Sequence, residues 1–470
     1  MRNYACVTAT MVGLSAVVGT AEAEAKTMQP NVILVMCDDL GWGDVGFNGN
    51  EIIRTPNIDK MAGEGVIFNR FYAACAVSSP TRASVLTGRN PYRMGVFTAN
   101  MGILRPEEIT IPELLREEGY ATGHFGKWHL GALTDKEKDA NRGMVGNAKE
   151  LNLPKEHGYD DAFVTESKVP TWNPMLNPAD NSKPYGTAYW DINGDKVTDN
   201  LAGDDSRVIM DRVLPFIKKS SEQGKPFLSV VWFHTPHKPC VAGAEYAAMY
   251  SDYSKEFQNY AGCVTAMDEQ MGRLRKYLED NKLDDNTVIF FCSDNGPENG
   301  VGVTGGFRAR KRSLYEGGVR VPAFVYWRGK IRKPFSTDYP AVTSDYLPTI
   351  VSLVGVDPAK CKYELDGVDI SAVFTKRESQ REQPIIFAYN GQYTIVDNQH
   401  KLYTRGDLKE LYDITDDPYE KRPLSNSTLS EERQKQLTEA LERFKSSFEG
   451  KEYGVKSYNK LKQAWLGKKR

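Results

Sequence analysis

Two groups of oxygen-bearing side chains follow apolar runs that lie far apart in the chain. Asp38 and Asp39 come after the run at residues 31–36, and Asp294 and Asn295 come after a similar run further along. Three carboxylates and one amide oxygen form a hard ligand set, which suits calcium or magnesium better than zinc. Either acidic pair alone is more typical of a helix cap or a turn. Together they predict a cation site, provided that the fold brings the two segments together.

A serine-rich segment carries the most specific pattern in the chain. It begins at Ser78 with Ser-Ser-Pro-Thr-Arg and continues to Leu-Thr-Gly-Arg at residues 86–89. This pattern resembles the signature of the type I, formylglycine-dependent sulfatases, which belong to the alkaline-phosphatase-like superfamily. The resemblance implies a sulfuric ester hydrolase in which Ser78 is oxidised to formylglycine, an aldehyde, by a serine-type sulfatase-maturing enzyme before export. Cys75 does not fit the register, because the proline and arginine of the motif would then fall on Val77 and Ser79.

The resemblance also implies how this segment works. The hydrate of the aldehyde has two hydroxyls on one carbon, of which one attacks sulfur and the other collapses to the carbonyl and ejects the sulfate. Pro80 suits the first turn of a helix that runs through Thr87, so Ser78 would lie at a helix N-terminus, which favours anions. Arg82 is implied to hold the hydrate. The resemblance further assigns one calcium ion to Asp38, Asp39, Asp294, Asn295 and Ser78.

Gly-Lys-Trp-His-Leu-Gly at residues 126–131 resembles a family element that contacts the sulfate. It nominates Lys127 and His129. Residues two apart point to one face of an extended segment, so we expect these two side chains to converge on the hydrate and the sulfate. His124 would point to the opposite face, and we interpret it as structural.

Two more segments complete the candidate site. Residues 236–239 match a Pro-His-x-Pro element of the family, which nominates His237 as a sulfate contact and as the proton donor to the departing alcohol. His234 is the alternative for that role. The segment from Lys311 to Pro322 resembles Lys-x-x-Leu-Tyr-Glu-Gly-Gly-x-Arg-Val-Pro and makes Lys311 the cation for a sulfate oxygen. A solvated basic loop is the other interpretation of its arginine neighbours Arg308, Arg310 and Arg312.

The elements that must position these residues alternate along the chain. Apolar runs typical of strands buried in a parallel sheet occur at residues 31–36, 226–233, 287–292 and 321–327. Helical patterns occur at residues 57–65, 111–118, 206–219, 255–281 and 344–354. This alternation predicts an α/β fold with a large mixed, mainly parallel sheet flanked by helices, and ligands collect beyond the carboxyl ends of such strands.

The composition becomes polar near residue 378, and short β-type runs follow. Turn residues such as Asn390-Gly391 between these runs predict a short antiparallel sheet, followed by a helix at residues 429–449. We therefore predict a catalytic domain over residues 26–377 and a smaller C-terminal α+β domain over residues 378–470. Residues 411–420 resemble the element with which sulfatases begin their final helix.

Both ends of the chain have a distinctive composition. Residues 1–25 combine a basic start, an apolar centre and small residues, as a signal peptide does. A membrane anchor is the alternative, but the apolar stretch is short for one. We therefore expect an exported bacterial protein, periplasmic or secreted, with no stable membrane insertion. The lysine-rich tail at residues 451–470 is either solvated or in contact with an anionic polymer.

The bulk composition limits the classes of partner. Hydrophobic residues make up 40% of the chain, charged residues 26%, and the formal net charge is -2. This is an ordinary globular protein without a global field that would recruit nucleic acid. We expect a sulfated carbohydrate as substrate. Five aromatic residues in the insert at residues 134–202 either stack on sugar rings or pack beneath a loop: Tyr159, Trp172, Tyr185, Tyr189 and Trp190.

Two other functions are compatible with these motifs. A phosphate or phosphonate ester hydrolase of the same superfamily would share the acidic strand ends. It would normally use two zinc ions and more histidine ligands than the six histidines of this chain provide. A non-catalytic binder of sulfated glycans would keep Ser78 unmodified.

The cysteines give no disulfide framework, because they are widely spaced and form no Cys-x-x-Cys pair. Cys37 and Cys292, which lie at the ends of apolar runs, are expected to be small buried hydrophobic residues. A bridge between Cys240 and Cys263 is left open.

Overall fold

Short apolar segments separated by turn residues give this chain many strands. The computed structural model describes residues 29–376, 380–424 and 428–448. The predicted signal peptide and the lysine-rich tail lie outside the described residues. The strands are β1 (Asn31–Cys37), β2 (Val66–Phe68), β3 (Phe71–Tyr72), β4 (Ala121–Lys127), β5 (Asp161–Thr165), β6 (Leu176–Asn177), β7 (Asp180–Pro184), β8 (Tyr189–Asp191), β9 (Lys196–Val197), β10 (Phe227–Trp232), β11 (Thr287–Ser293), β12 (Arg320–Val321), β13 (Phe324–Tyr326), β14 (Phe335–Thr337), β15 (Ala341–Val342), β16 (Ile385–Tyr389), β17 (Gln392–Val396), β18 (His400–Arg405) and β19 (Leu408–Asp413).

The predicted helices are present, with small shifts at their ends, and the sequence analysis did not predict the short helices α5 and α7. The helix that begins at the serine motif ends at Thr87, as predicted, and is followed by Gly88 in the left-handed conformation. The α-helices are α1 (Pro56–Gly63), α2 (Ser78–Thr87), α3 (Ile111–Glu117), α4 (Asp205–Glu222), α5 (Ala244–Ala248), α6 (Lys255–Asp280), α7 (Glu316–Val319), α8 (Tyr346–Val354) and α9 (Thr428–Phe448).

Ten strands form one mixed sheet in the order β14-β2-β13-β11-β1-β10-β4-β5-β8-β9. The central strands β11, β1, β10, β4 and β5 are all parallel to their neighbours within this group. Antiparallel pairs, β11 with β13 and β5 with β8, continue the sheet on either side. The predicted large, mainly parallel sheet is confirmed.

The alternation of side chains along β1 divides the core into two layers. Val32 and Leu34 pack on the face covered by α2, α3 and α8, while Ile33 and Val35 pack on the face covered by α1, α4 and α6. Each residue of β1 is buried, as its unbroken apolar run predicts for a strand covered on both faces. Full burial of such a side chain stabilises the fold by about 1.5–3 kcal/mol.

The apolar run at residues 321–327 is not one parallel strand, and that prediction is wrong. Proline has no backbone N–H to donate to a ladder, and Pro322 lies between two short strands. β12 pairs with β3 in a separate three-stranded sheet, whereas β13 pairs antiparallel with β11 in the large sheet. The run therefore crosses from one sheet to the other.

The C-terminal segment forms the predicted small antiparallel sheet, in which β16, β17, β18 and β19 are successive neighbours. α9 packs on it through Leu437, which lies in one apolar cluster with Ile395, Leu402 and Leu411. Leu411 belongs to β19 and pairs with Leu402 of β18. The expectation that residues 411–420 begin the final helix is therefore wrong, because α9 begins at Thr428. The predicted domain boundary falls on residues 377–379, outside the described residues, and stays a prediction.

Buried ion pairs connect the small sheet to the rest of the molecule. Lys401 of β18 lies 2.8 Å from a carboxylate oxygen of Glu316 and 2.8 Å from one of Glu420, and none of these side chains is exposed. Arg381 forms a second buried pair with Asp345, at 2.7 Å. The removal of one partner from such a network leaves an uncompensated charge in the interior.

Two smaller expectations concern the cysteines and the membrane. Cys37 and Cys292 are buried, as expected, while Cys240 and Cys263 are free thiols in this structure. None of the described helices combines the length and the apolar composition that a bilayer crossing requires.

We predict that Lys401→Met lowers the free energy of unfolding by about 3–5 kcal/mol, because Glu420 would lose its buried ion-pair partner and Glu316 would be left with Arg320, at 3.3 Å. Urea denaturation measures the change. Lys409→Met, at an exposed position of β19, is the matched control and should change stability by less than about 0.5 kcal/mol. Equal unfolding midpoints for the two variants would contradict a role of the buried network in stability.

Candidate functional site

The parallel pairing of β1 with β11 brings the two acidic groups together. Cys37 lies opposite Ser293 at the carboxyl ends of these strands, so the next residues of both strands share one edge. The backbone N–H of Asp39 donates to Asp294 Oδ1 at 3.1 Å, and Asn295 Nδ2 donates to Asp39 Oδ1 at 2.6 Å. The four predicted metal ligands, including Asp38, are therefore neighbours, and all are buried.

The backbone turns sharply at this edge. Asp39 has a φ of 67°, in the left-handed region that residues other than glycine seldom adopt. Leu40, which follows it, donates its N–H to the hydroxyl of Ser293 at 3.0 Å. Left-handed backbone at a residue with a side chain costs of order 1–3 kcal/mol and is frequent at functional sites. The turn supports a functional role for this pair of carboxylates.

Ser78 lies against the acidic cluster as the first residue of α2. Its hydroxyl donates to Asp38 Oδ1 at 3.2 Å and accepts a hydrogen bond from Lys127 Nζ at 3.3 Å. Lys127, at the end of β4, also donates to Asp38 Oδ2 at 2.7 Å. The candidate nucleophile thus contacts one predicted metal ligand and one predicted cation.

Arg82 contacts the carboxylates of the cluster. Its Nη2 atom donates to Asp294 Oδ2 at 2.8 Å and lies 3.8 Å from Asp38 Oδ1. The guanidinium is fully buried and lies over the ring of Trp232, 5.0 Å from its centroid. One turn of α2 separates Arg82 from Ser78, so the same helix supplies the candidate nucleophile and a cation of the site.

Lys311 and His237 approach the cluster from the other side. Lys311 Nζ donates to both carboxylate oxygens of Asp39, at 2.6 and 2.8 Å. His237 Nε2 lies 3.6 Å from Asp39 Oδ2, while its Nδ1 donates to the carbonyl oxygen of Lys238 at 2.7 Å. The structure thus places both predicted residues beside the candidate metal ligands.

The alternative histidine, His234, makes other contacts. Its Nδ1 lies 2.8 Å from Asp205 Oδ2, and its Nε2 lies 2.7 Å from Thr165 Oγ1, with no part of the side chain exposed. His124, interpreted as structural, lies among the rings of Trp128, Tyr159 and Trp232, and burial lowers its pKa to about 3. The contacts of His234 and of His124 favour structural roles for both residues.

His129 does not follow the strand alternation that the sequence suggested. β4 ends at Lys127, and His129 has a left-handed φ of 58°, so the argument from an extended segment is wrong here. Its Nε2 atom contacts Asn100 Oδ1 at 2.7 Å, and its Nδ1 atom is buried without a hydrogen-bond partner among the described residues. The sequence gives no signal for Asn100, because the contact joins a loop to the end of a distant strand.

The three arginine neighbours of Lys311 all have partners within the protein, although Arg312 is exposed. Arg308 donates to the hydroxyl of Tyr412, and Arg310 donates to the carbonyl oxygen of Gly302. Arg312 forms an ion pair with Glu298 at 2.7 Å. These contacts fix the position of the segment that carries Lys311.

The charges of the site nearly cancel. Burial alone would raise the pKa of Asp38, but Lys127, His237 and Arg82 hold it well below its usual value. Burial, with a contribution from Asp38, raises the pKa of Asp294. Burial also lowers the pKa of His237 to about 4. Three carboxylates, Asp38, Asp39 and Asp294, therefore face three cations, Arg82, Lys127 and Lys311.

The donor atoms fit a hard divalent cation. Asn295 Oδ1 is buried and has no hydrogen-bond partner within the described residues, so this oxygen is available as a ligand. Possible ligand atoms of Asp38, Asp39 and His237 lie within 4.8 Å of one another. A hard divalent cation prefers oxygen to imidazole nitrogen, so the carboxylates and Asn295 fit such an ion better than His237 does. A divalent cation would also make the site net positive, as the binding of a sulfate ester requires.

The chain matches two family profiles. The sulfatase profile matches residues 30–356, and the profile of the N-sulphoglucosamine sulphohydrolase C-terminal region matches residues 305–447. The first match spans most of the chain and includes all the candidate site residues.

Known proteins show the same likeness. N-acetylgalactosamine-6-sulfatase of Sus scrofa is 32% identical in an alignment of 391 positions that covers 77% of this chain and 69% of that protein. Arylsulfatase G of Rattus norvegicus is 30% identical in an alignment of 472 positions, with gaps, that covers 86% of this chain and 84% of that protein. The crystal structure of Ps i-CgsB in complex with k-i-k-neocarrahexaose has a TM-score of 0.75 and 30% identity, covering 89% of this chain and 92% of that one.

We predict that Ca²⁺ raises the melting temperature of the chelator-treated protein, because a ligand that binds only the folded state stabilises it, by about 2.7 kcal/mol at 100 times its Kd. Asp39→Asn should remove most of this response. Asp268→Asn, which alters a buried carboxylate of α6 that bonds to Asn57 and Ile58, should keep it. Scanning calorimetry measures the shift, and equal shifts for the two variants would exclude Asp39 as a ligand.

Proposed function

The chain belongs to the sulfatase family of sulfuric ester hydrolases, and we propose on that premise that it removes sulfate from a sulfated sugar. In this proposal Ser78, oxidised to formylglycine, is the nucleophile, and one calcium ion binds to Asp38, Asp39, Asp294, Asn295 and residue 78. The observation that carries the proposal is the position of the Ser78 hydroxyl between Asp38 and Lys127, at 3.2 and 3.3 Å.

The surroundings of Ser78 suit an anionic ester. The serine begins a ten-residue helix whose first backbone N–H groups favour negative charge. Lys127 and Lys311 bring ammonium groups to the same cluster, where they can bind sulfate oxygens. Bound calcium would supply Lewis-acid stabilisation of the charge on sulfate, and the aldehyde hydrate would supply a second hydroxyl through which the sulfate is expelled.

His237 is the proposed proton donor to the departing alcohol. Its Nε2 atom faces the cluster, and its Nδ1 atom is held by the carbonyl oxygen of Lys238. Burial lowers the pKa of His237 to about 4, so proton donation requires the negative charge of a bound sulfate ester, which favours the imidazolium form. The Nδ1 atom of His129 has no hydrogen-bond partner in the part of the chain that the structure describes, which suits acceptance of a hydrogen bond from the hydrate.

The substrate class follows the proteins that this chain resembles. The similar proteins include an N-acetylgalactosamine-6-sulfatase and a structure in complex with a neocarrahexaose, so we propose a sulfated saccharide. Signal-like residues 1–25 support export to the periplasm or the medium, after oxidation of Ser78 by a serine-type maturing enzyme in the cytoplasm. The substrate class and the export are proposals that go beyond the family assignment.

A two-zinc phosphate or phosphonate ester hydrolase is a weaker interpretation. Zinc sites of that kind need several histidine ligands, and four of the six histidines make contacts elsewhere. His157 contacts Asn152 Oδ1 at 2.8 Å, and His400 lies in β18 of the small sheet, while His124 and His234 are buried among the groups described above. Of the six, only His237 has a nitrogen within 4.0 Å of a carboxylate of the cluster, at 3.6 Å from Asp39 Oδ2.

We predict that co-expression with a serine-type maturing enzyme converts Ser78 to formylglycine, which lowers the mass of its peptide by about 2 Da. The matured protein should hydrolyse sulfate monoesters faster than the matching phosphate monoesters. Ser78→Ala should abolish turnover without unfolding the protein, and Ser78→Cys should retain turnover where a cysteine-accepting enzyme matures it. Turnover by Ser78→Ala would disprove the mechanism, and a protein that keeps Ser78 unmodified under co-expression and binds sulfated glycans without turnover would favour the glycan-binder alternative.

We predict that His237→Gln lowers kcat on a sugar sulfate by about 10²–10⁴-fold, because the alkoxide leaving group then departs without a proton. The loss should be much smaller on 4-nitrophenyl sulfate, whose phenolate is a good leaving group. His400→Gln, in the small sheet, is the control and should leave both rates unchanged. Equal losses on the two substrates would show that His237 does not act as the acid.

A further inference from the structure

A cavity of about 500 Å³ lies at the same edge of the large sheet as the candidate site. The segments that follow the same strands form its walls: Lys168 comes after β5, Lys238 after β10 and Val301 after β11. Lys238 follows the proposed proton donor His237 directly. Thr171 donates its N–H to the carbonyl oxygen of Pro239 at 3.4 Å, so the first two walls touch. The size lies within the range of about 300–1,000 Å³ that is usual for small-molecule sites.

The cavity carries one cation without an ion-pair partner among the described residues. Lys238 forms an ion pair with Glu256 at 2.9 Å. Lys168 also lines the cavity and is half-buried, yet it forms no ion pair or hydrogen bond with the described residues. With Glu256 as the acidic residue of the lining, these three groups have a net charge of +1. A partly buried, unpaired lysine favours a negatively charged ligand.

The backbone beside Lys168 is held by the network that also holds His129. The hydroxyl of Ser167 accepts a hydrogen bond from Asn141 Nδ2 at 3.0 Å, and the same amide nitrogen contacts Asn100 Oδ1 at 3.1 Å. Asn100 in turn contacts His129. A chain of side-chain hydrogen bonds therefore joins Ser167, the residue before Lys168, to His129 of the candidate site.

Aromatic and amide groups complete the lining. Tyr185 is half-buried, and its ring stacks on no other aromatic ring of the described residues. Burial raises the pKa of Tyr185, so its hydroxyl stays neutral. Asn259 accepts from the N–H of Ala242 through its Oδ1 atom, and its Nδ2 atom can donate to a ligand. An apolar ring face beside polar groups suits a sugar ring.

We propose that this cavity binds a second negatively charged group of the substrate, so that the preferred substrate is a saccharide with a carboxylate or a second sulfate besides the sulfate that is removed. Lys168 recognises that group, and Tyr185 packs against the sugar ring that carries it. The proposal rests on the proposed function, because the cavity is treated as a subsite beside the scissile ester.

The test measures binding to Ser78→Ala protein in Ca²⁺ by titration calorimetry, so that no turnover interferes. The ligands are prepared as matched sets of three. Each set contains a 6-sulfated monosaccharide, the disulfate of the same sugar, and a disaccharide that joins the 6-sulfated sugar to a uronic acid. The sets are built on galactose, N-acetylgalactosamine and glucosamine. In at least one set, a member with the second anion should bind about three- to tenfold more tightly than the monosulfate. High ionic strength should reduce this difference in affinity, because salt screens the attraction between the charges.

Variants of Lys168 decide whether its charge is the cause. Lys168→Met should remove the preference and leave the affinity for the monosulfate unchanged, while Lys168→Arg should keep it. Lys183→Met is the control, since that lysine of the same insert is 70% exposed, and it should bind like the parent. Equal affinities within every set, a preference that persists in Lys168→Met, or equal losses in Lys168→Met and Lys168→Arg would each overturn the proposal.

The disulfate and uronic acid members separate the two sources of negative charge, and a preference for either supports the site. The result of the binding test does not depend on whether the protein hydrolyses sulfate esters. If the matured wild-type protein hydrolyses no sulfate ester while the Lys168-dependent preference is present, the proposed function fails and the anion subsite stands. If hydrolysis occurs without that preference, the subsite fails and the proposed function stands.

Discussion

The in-register parallel pairing of β1 with β11 is the constraint on which the site depends. It sets Cys37 beside Ser293, and the chain then leaves both strands with carboxylates at one buried edge. Buried carboxylates at such short range repel one another and lose their hydration, so they persist only with cations close by. Arg82, Lys127 and Lys311 supply those cations, and each comes from a different part of the chain.

This charge balance explains why so many separate segments converge. α2 supplies Ser78 and Arg82, β4 supplies Lys127, and the segment held by Arg310 and Arg312 supplies Lys311. Each cation stabilises a carboxylate in the folded protein and can also bind an anionic ester. The same interactions therefore serve folding and, in the proposed function, substrate binding. A cluster of this kind is costly to assemble, and the two apolar layers around β1 provide the stabilisation that offsets this cost.

The small C-terminal sheet takes part in this arrangement. Lys401 of β18 forms ion pairs with Glu316 and Glu420, and Glu316 lies only five residues after Lys311. Arg308 donates to Tyr412 of β19. The small sheet thus anchors the segment that carries one cation of the site, and its attachment to the rest of the molecule rests on buried charge as well as on apolar contact.

The sequence by itself determined the elements and most of the site. Apolar runs identified β1, β10 and β11, and the motifs with their resemblance to sulfatases nominated Asp38, Ser78 and their partners, because strand burial and motif spacing are local properties of the chain. The motif nominated His237 and left His234 as the alternative, and only the tertiary structure shows which long-range partners each of them meets. The tertiary structure also divided residues 321–327 between two sheets, and it placed Asn100 beside His129 and Lys168 in a cavity. Such contacts join segments that are distant in sequence, and no local pattern of residues encodes which of them will meet.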